Sequence, residues 1–108
     1  MKETQLLKQI LDFCRHNDLL FYRTQAGMVK TDRGGFMKFG SAGVADITGC
    51  VDGRFIAVEC KIGKNKQQLS QSLFEKKVLE KGGEYWLIYN LEDFINKFNK
   101  SEGRYTVC

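Results

Sequence analysis

Ala45-Asp46-Ile47-Thr48-Gly49-Cys50-Val51-Asp52-Gly53-Arg54-Phe55-Ile56-Ala57-Val58-Glu59-Cys60-Lys61 reads as two strands folded about a two-residue turn. Asp-Gly between β-prone apolar runs is a strong hairpin signal. Asp46 and Glu59 are equally distant from that turn, so an antiparallel pairing sets them opposite one another. Opposed residues point to the same face with Cβ atoms about 4.5–5.5 Å apart. Side chains alternate along a strand, which puts Phe55, Ala57, Glu59 and Lys61 on one face. A strand that begins as core and ends in a carboxylate and an ammonium places charge where burial is expensive.

Two carboxylates at that separation repel and raise each other's pKa unless a cation lies between them. An oxygen-rich pair of this kind suits Mg²⁺ or Mn²⁺, which retain water and accept phosphate oxygens. Lys61, one same-face step beyond Glu59, is placed to orient or deprotonate an attacking water or to stabilise charge on a phosphate. The competing reading is a surface hairpin with a cross-strand acid pair and a Glu-x-Lys salt bridge. The apolar run before Glu59 argues against it.

Working outward, residues 2–17 carry helical spacing, with Glu3, Leu7, Ile10 and Cys14 on one stripe widened by Leu6 and Leu11. Leu19–Thr24 reads as extended. Residues 27–43 hold five glycines among Lys30, Arg33 and Lys38 and read as a long basic loop. A second helix is expected over 67–81, ended by Gly82-Gly83. A buried strand follows over 84–90, then a helix over 91–98 and a short edge strand over 104–107. The order is α-β-β-β-α-β-α. A strand–helix–strand crossover makes the sheet mixed, an α/β fold with helices flanking a central sheet.

Gln71 shares the inward stripe of the second helix with Phe74 and Val78. It reads either as a group holding a metal-bound water or phosphate oxygen, or as an amide capping a backbone carbonyl at the sheet edge. Glu3 reads either as an outer metal ligand or as a first-turn acid favoured by the helix dipole. His16 favours the far end of its helix.

The remaining composition bounds the function. The 108 residues suit one domain spanning 1–108, and 43% apolar content with eight Phe and one Trp argues against disorder. The formal charge of +4 permits nucleic-acid binding. No apolar run approaches a membrane span, and the N-terminus lacks a secretory pattern. Cys14, Cys50, Cys60 and Cys108 are too widely spaced for a zinc or disulfide framework, so a reducing cytoplasm is expected. No Ser/His/Asp triad, Walker loop or dinucleotide fingerprint is present. Arg23, Lys30, Arg33 and Lys38 before Asp46, with Lys64 and Lys66 after Lys61, form a cluster that attracts a phosphate backbone.

Asp46…Glu59-Cys60-Lys61 resembles the PD-(D/E)XK nuclease signature. A longer set of segments resembles the VRR-NUC branch of that superfamily: residues 23–27, 43–47 and 58–61, Gly63-Lys64, Gln71 and Gly82-Gly83. The resemblance covers about residues 3–90. It implies a restriction-endonuclease-like core and a Mg²⁺- or Mn²⁺-dependent DNA endonuclease, structure-selective for Holliday-junction or other branched DNA. By that likeness Asp46, Glu59 and the Cys60 carbonyl bind metal, Lys61 assists the attacking water and Gln71 positions it. Short stand-alone members are phage or bacterial proteins, some acting as homodimers, which implies the cytoplasm of a bacterium or phage-infected host. The alternatives are a nucleic-acid-binding or assembly module of the same fold without turnover, and an RNA-directed nuclease.

Overall fold

The computed structural model describes residues 1–24, 27–39 and 43–103, with the backbone alone at 27–30, 36–39 and 102–103. Helix α1 spans Glu3–His16 and buries Leu6, Leu7, Ile10 and Cys14, the stripe its periodicity predicts. Strands β1 (Phe21–Arg23), β2 (Gly27–Lys30), β3 (Phe36–Phe39), β4 (Ile47–Val51) and β5 (Arg54–Cys60) follow. Helix α2 (Leu69–Glu80), strand β6 (Glu84–Ile88) and helix α3 (Leu91–Gly103) complete the described chain.

The main sheet has four strands in the order β1-β4-β5-β6. β1 and β4 are antiparallel, as are β4 and β5, whereas β6 lies parallel to β5 because α2 crosses over between them. The fold is therefore mixed α/β, with a mixed sheet and three helices. The β4–β5 turn carries positive φ at both Asp52 (50°) and Gly53 (81°), as a type I′ turn requires. Its register pairs Val51 with Arg54 and Ile47 with Val58. One further step sets Asp46 opposite Glu59, as the count across the turn predicts.

Alternation along β5 divides the sheet into unlike faces. Ile56, Val58 and Cys60 join a core with α1 and α3 that includes Phe21, Ile47, Trp86, Ile88 and Phe94. The other face meets α2 through a small cluster of Ala45, Ala57, Val78 and Tyr85, with Phe74 packed against it. α2 ends as expected at the glycine pair. The Gly82 N–H donates to Leu79 O (3.2 Å) and the Gly83 N–H to Val78 O (2.9 Å), a Schellman arrangement with Gly82 at φ 89°.

Two expectations are corrected. Residues 27–43 are not one long loop, since β2 and β3 form an antiparallel hairpin within them, pairing with each other and, among the described residues, with no strand of the main sheet. The order is thus α-β-β-β-β-β-α-β-α. Four-residue strands around Asp32-Arg33-Gly34-Gly35 give too little alternation to outweigh their glycine content. Helix α3 also continues past residue 98 to Gly103. Its last turn is held by a buried polar network rather than by apolar periodicity. Arg54 donates to Ser101 Oγ (2.7 Å) and O (3.0 Å), Ser101 Oγ donates to Glu84 Oε2 (2.9 Å), and Arg54 pairs with Glu84. The edge strand expected over 104–107 lies outside the described residues. Among the described residues, no helix is long and apolar enough to cross a membrane.

Candidate functional site

The charged end of β5 is buried. Glu59 keeps 3% of its surface and Lys61 6%, so the surface-hairpin reading fails. Both lie on the α2 side of the sheet, where the apolar cluster is small enough to leave room for polar groups. Asp46 lies one residue before β4, but its backbone is held by β1. Its carbonyl accepts from the Thr24 N–H (2.9 Å), beside a Thr24–Thr48 hydroxyl contact (2.6 Å). Asp46 Oδ2 accepts from the Cys60 N–H (2.9 Å), which ties the acid across the hairpin to the residue after Glu59.

Gly43 fixes the approach to Asp46. Its φ is +80°, and a Cβ there would fall 2.2 Å from the Ser70 carbonyl oxygen. Only glycine lets the backbone lie this close to the first turn of α2. The segment entering Asp46 is thereby held against the helix that carries Gln71.

Gln71 bonds a backbone N–H at the start of its own helix rather than a carbonyl at the sheet edge, and it also reaches Glu59. Its Oε1 accepts from the Gln68 N–H at the start of α2 (2.8 Å), and its Nε2 donates to Glu59 Oε1 (3.2 Å). One amide caps the helix and orients the buried carboxylate. The other Glu59 oxygen, Oε2, is buried with no hydrogen-bond partner among the described residues. Burial, with the neighbouring Asp46 carboxylate adding to it, pushes the Glu59 pKa up to about 8, against an opposing influence from Lys61. Lys61 forms no ion pair within 4.0 Å among the described residues, although its own N–H bonds the Ile88 carbonyl (2.9 Å).

This donor set suits a small hard cation. It offers one unpartnered buried carboxylate oxygen, a second carboxylate in contact with the first, and a nearby ammonium. Among the described residues, however, no group of three or more His, Cys, Asp or Glu side chains gathers for a metal. Glu3 is not brought in as a ligand. Its Oε2 accepts from the Asn65 amide (3.1 Å), and it reaches Glu59 only as a distant charge. A cation here would rest on Asp46 and Glu59 and complete its shell from backbone oxygen, water and substrate, as Mg²⁺ commonly does.

The basic residues separate. Lys64 and Lys66 are exposed on the link from β5 to α2, a few residues past Lys61, and Arg33 is exposed at the tip of the β2–β3 hairpin. Arg23 pairs with core-facing Ile47, so it points to the α1 side of the sheet, away from Asp46 and Glu59. There it lines a groove with Thr4, Lys8 and Arg15. Lys30 and Lys38 lie on β2 and β3, and their side chains are outside the described residues. His16 bonds the Asp12 carbonyl (2.7 Å) at the end of α1, apart from the site.

Tyr85 escaped the sequence reading. It pairs with Ala57, one same-face step from Glu59, and its buried hydroxyl is without a hydrogen bond among the described residues. Burial pushes its pKa up to about 12; the Gln67 amide acts against this, and the Glu59, Glu75 and Asp46 charges add to it. In the sequence it looked only like part of a buried strand. No protein-family model and no curated protein matches this chain.

Proposed function

We propose that the chain is a Mg²⁺-dependent DNA endonuclease with a restriction-endonuclease-like core, of the kind its sequence resembles. The supporting observation is the buried Glu59, one carboxylate oxygen of which is left without a partner among the described residues, set between half-buried Asp46 and a buried lysine. Burying a carboxylate and an ammonium beside a second, half-buried acid is costly, and a hydrophobic replacement would commonly be as stable or more so. Such a cluster is therefore better accounted for by chemistry than by stability.

In this reading Asp46 and Glu59 hold the ion, with the Cys60 carbonyl as a further oxygen ligand by resemblance. When bound, Mg²⁺ supplies positive charge at the scissile phosphate and lowers the pKa of a water. The chain's own groups do the rest. Gln71 keeps the Glu59 carboxylate in one orientation, so its free oxygen stays directed to the site. Lys61 brings a fixed positive charge beside the phosphate, stabilising the negative charge that grows there, and is placed to exchange a proton with the attacking water. Lys64 and Lys66 hold the flanking phosphates without regard to sequence. Branched DNA is the proposed substrate, and a homodimer would present two such sites to a junction.

The test incubates the protein with junction, flap, nicked and linear DNAs in Mg²⁺ or Mn²⁺. Cleavage is expected with both metals. Asp46→Asn and Glu59→Gln should each lose about a hundredfold or more, as expected when a positioned charge is removed. Mg²⁺ should raise the melting temperature of the wild type but not of Glu59→Gln. Binding of these DNAs without cleavage under either metal would sink the enzyme reading and favour a binding module. Cleavage confined to RNA would overturn the substrate.

A further inference from the structure

The far edge of the sheet carries a second feature, which contains none of the acidic site's charged residues. β6 has β5 on one side and no strand on the other among the described residues. In a parallel pair each residue directs both its N–H and its C=O to the same side, alternating along the strand. Ile88 O accepts from Lys61, so Glu84, Trp86 and Ile88 face β5. Tyr85 and Leu87 therefore turn two N–H and two C=O groups outward. Along this edge runs a groove of about 550 Å³, walled by Leu79 of α2 and by Lys97, Lys100 and Ser101 of α3. Helices on opposite faces of the sheet can line one groove only across its open edge. Leu79 is 55% exposed there.

We propose that this edge is a docking site for an extended acidic segment of a protein partner, which adds to β6 as a fifth strand. An edge strand beside a helix is the architecture by which strands are captured, with main-chain bonds giving affinity and side pockets giving specificity. Outward donors and acceptors repeating every second residue match another peptide backbone, and a nucleic acid has no such ladder. The charge complements an acid. Lys97 and Lys100 stand three residues apart on α3, where i and i+3 are neighbours. The acid that lines the groove, Glu84, is engaged with Arg54 and Ser101. β1, the opposite edge, is only three residues long and offers a shorter ladder.

Trp86, the single tryptophan of the chain, lines the groove and reports on it. The probe is a blocked heptapeptide alternating glutamate and valine, titrated into the full chain, with its lysine–valine counterpart as control. Saturable change in Trp86 emission is expected with the acidic peptide only, together with slowed amide exchange at Tyr85 and Leu87. The K97E/K100E variant should bind it at least about tenfold more weakly, about 1.4 kcal/mol, and should now take the lysine peptide. Unchanged emission and exchange at millimolar peptide would overturn the proposal. So would equal binding of both peptides by the wild type, or a response to an oligodeoxynucleotide in place of the peptide. Binding that appears only when the chain ends at Gly103 would also overturn it, giving the edge to residues 104–108. None of these outcomes depends on cleavage.

Discussion

The two faces of one sheet divide the work of this protein. Toward α1 and α3, side chains from β1, β4, β5 and β6 interlock with both helices, and Phe94 meets Phe13, Phe21 and Trp86 edge-on at 5.2–6.1 Å between ring centres. Toward α2, four buried residues form the apolar cluster, and Glu59 and Lys61 are buried at its end. α2 itself leaves Leu69, Leu73 and Leu79 exposed, so much of its apolar surface contributes nothing to the core. A small domain has little stability to spare. Concentrating the close packing on one face lets the other carry desolvated charge without unfolding the chain.

The largest test of that division removes packing from the strong face. Phe94→Ala should cost about 3–5 kcal/mol in urea unfolding, the range for a fully buried aromatic. Phe74→Ala, on the half-buried α2 side, should cost less than half as much. Equal losses would break the comparison. Next comes pH, read on the metal-free protein. Glu59 titrates near 8 when folded against an ordinary value of 4.5, so between those limits the folded state holds a proton that the unfolded state has released. The contribution is fully present below about pH 4.5 and is lost as pH rises through about 8. Stability should fall with rising pH across that window by at most roughly 5 kcal/mol, with a slope no steeper than about 1.4 kcal/mol per unit. Glu59→Gln should flatten the profile and be the more stable protein at the alkaline end. An unchanged slope in that variant would place the titration elsewhere.

Much of this arrangement was legible because the Asp52-Gly53 turn leaves no freedom of register: once both turn residues take positive φ, Asp46 and Glu59 must oppose. The burial of Glu59 and Lys61 followed from the apolar run before them, and the crossover direction from the strand–helix–strand order. Other features left weak local signals. The β2–β3 hairpin was hidden because its strands are short and its turn is rich in glycine. The last turn of α3 is held by Ser101 bonding to Arg54 and Glu84, residues more than fifteen positions away, and no periodicity records a contact of that range. Arg23 could not be assigned to a face until its partner in β4 was known. The role of Gly43 was equally hidden, since it depends on Ser70 lying against it.

Gly43→Ala makes that hidden contact measurable, with an effect on stability smaller than the pH swing or comparable to it. The substitution puts a Cβ into a left-handed backbone against the Ser70 carbonyl, and left-handed strain alone costs about 1–3 kcal/mol. Because the segment leads straight to Asp46, cleavage should fall further than the stability loss explains when both are measured well below the melting temperature. A loss of stability with full cleavage would show that Asp46 is positioned by β1 and Cys60 alone.

The smallest expected change in stability separates the two bonds of one side chain. Gln71→Ala removes both the cap on Gln68 and the donor to Glu59, and should cost about 1 kcal/mol, as lost caps do. Gln71→Glu keeps an acceptor for the Gln68 N–H, because glutamate serves equally well at the third position of a helix. Its stability should stay within about 0.5 kcal/mol of wild type. It nonetheless replaces the donor facing Glu59 with a like charge. If the amide serves the site, cleavage should fall in both variants although only one is destabilised. If it serves only the helix, Gln71→Glu should cleave as wild type does, and the polar character of the α2 face would reduce to Asp46, Glu59 and Lys61.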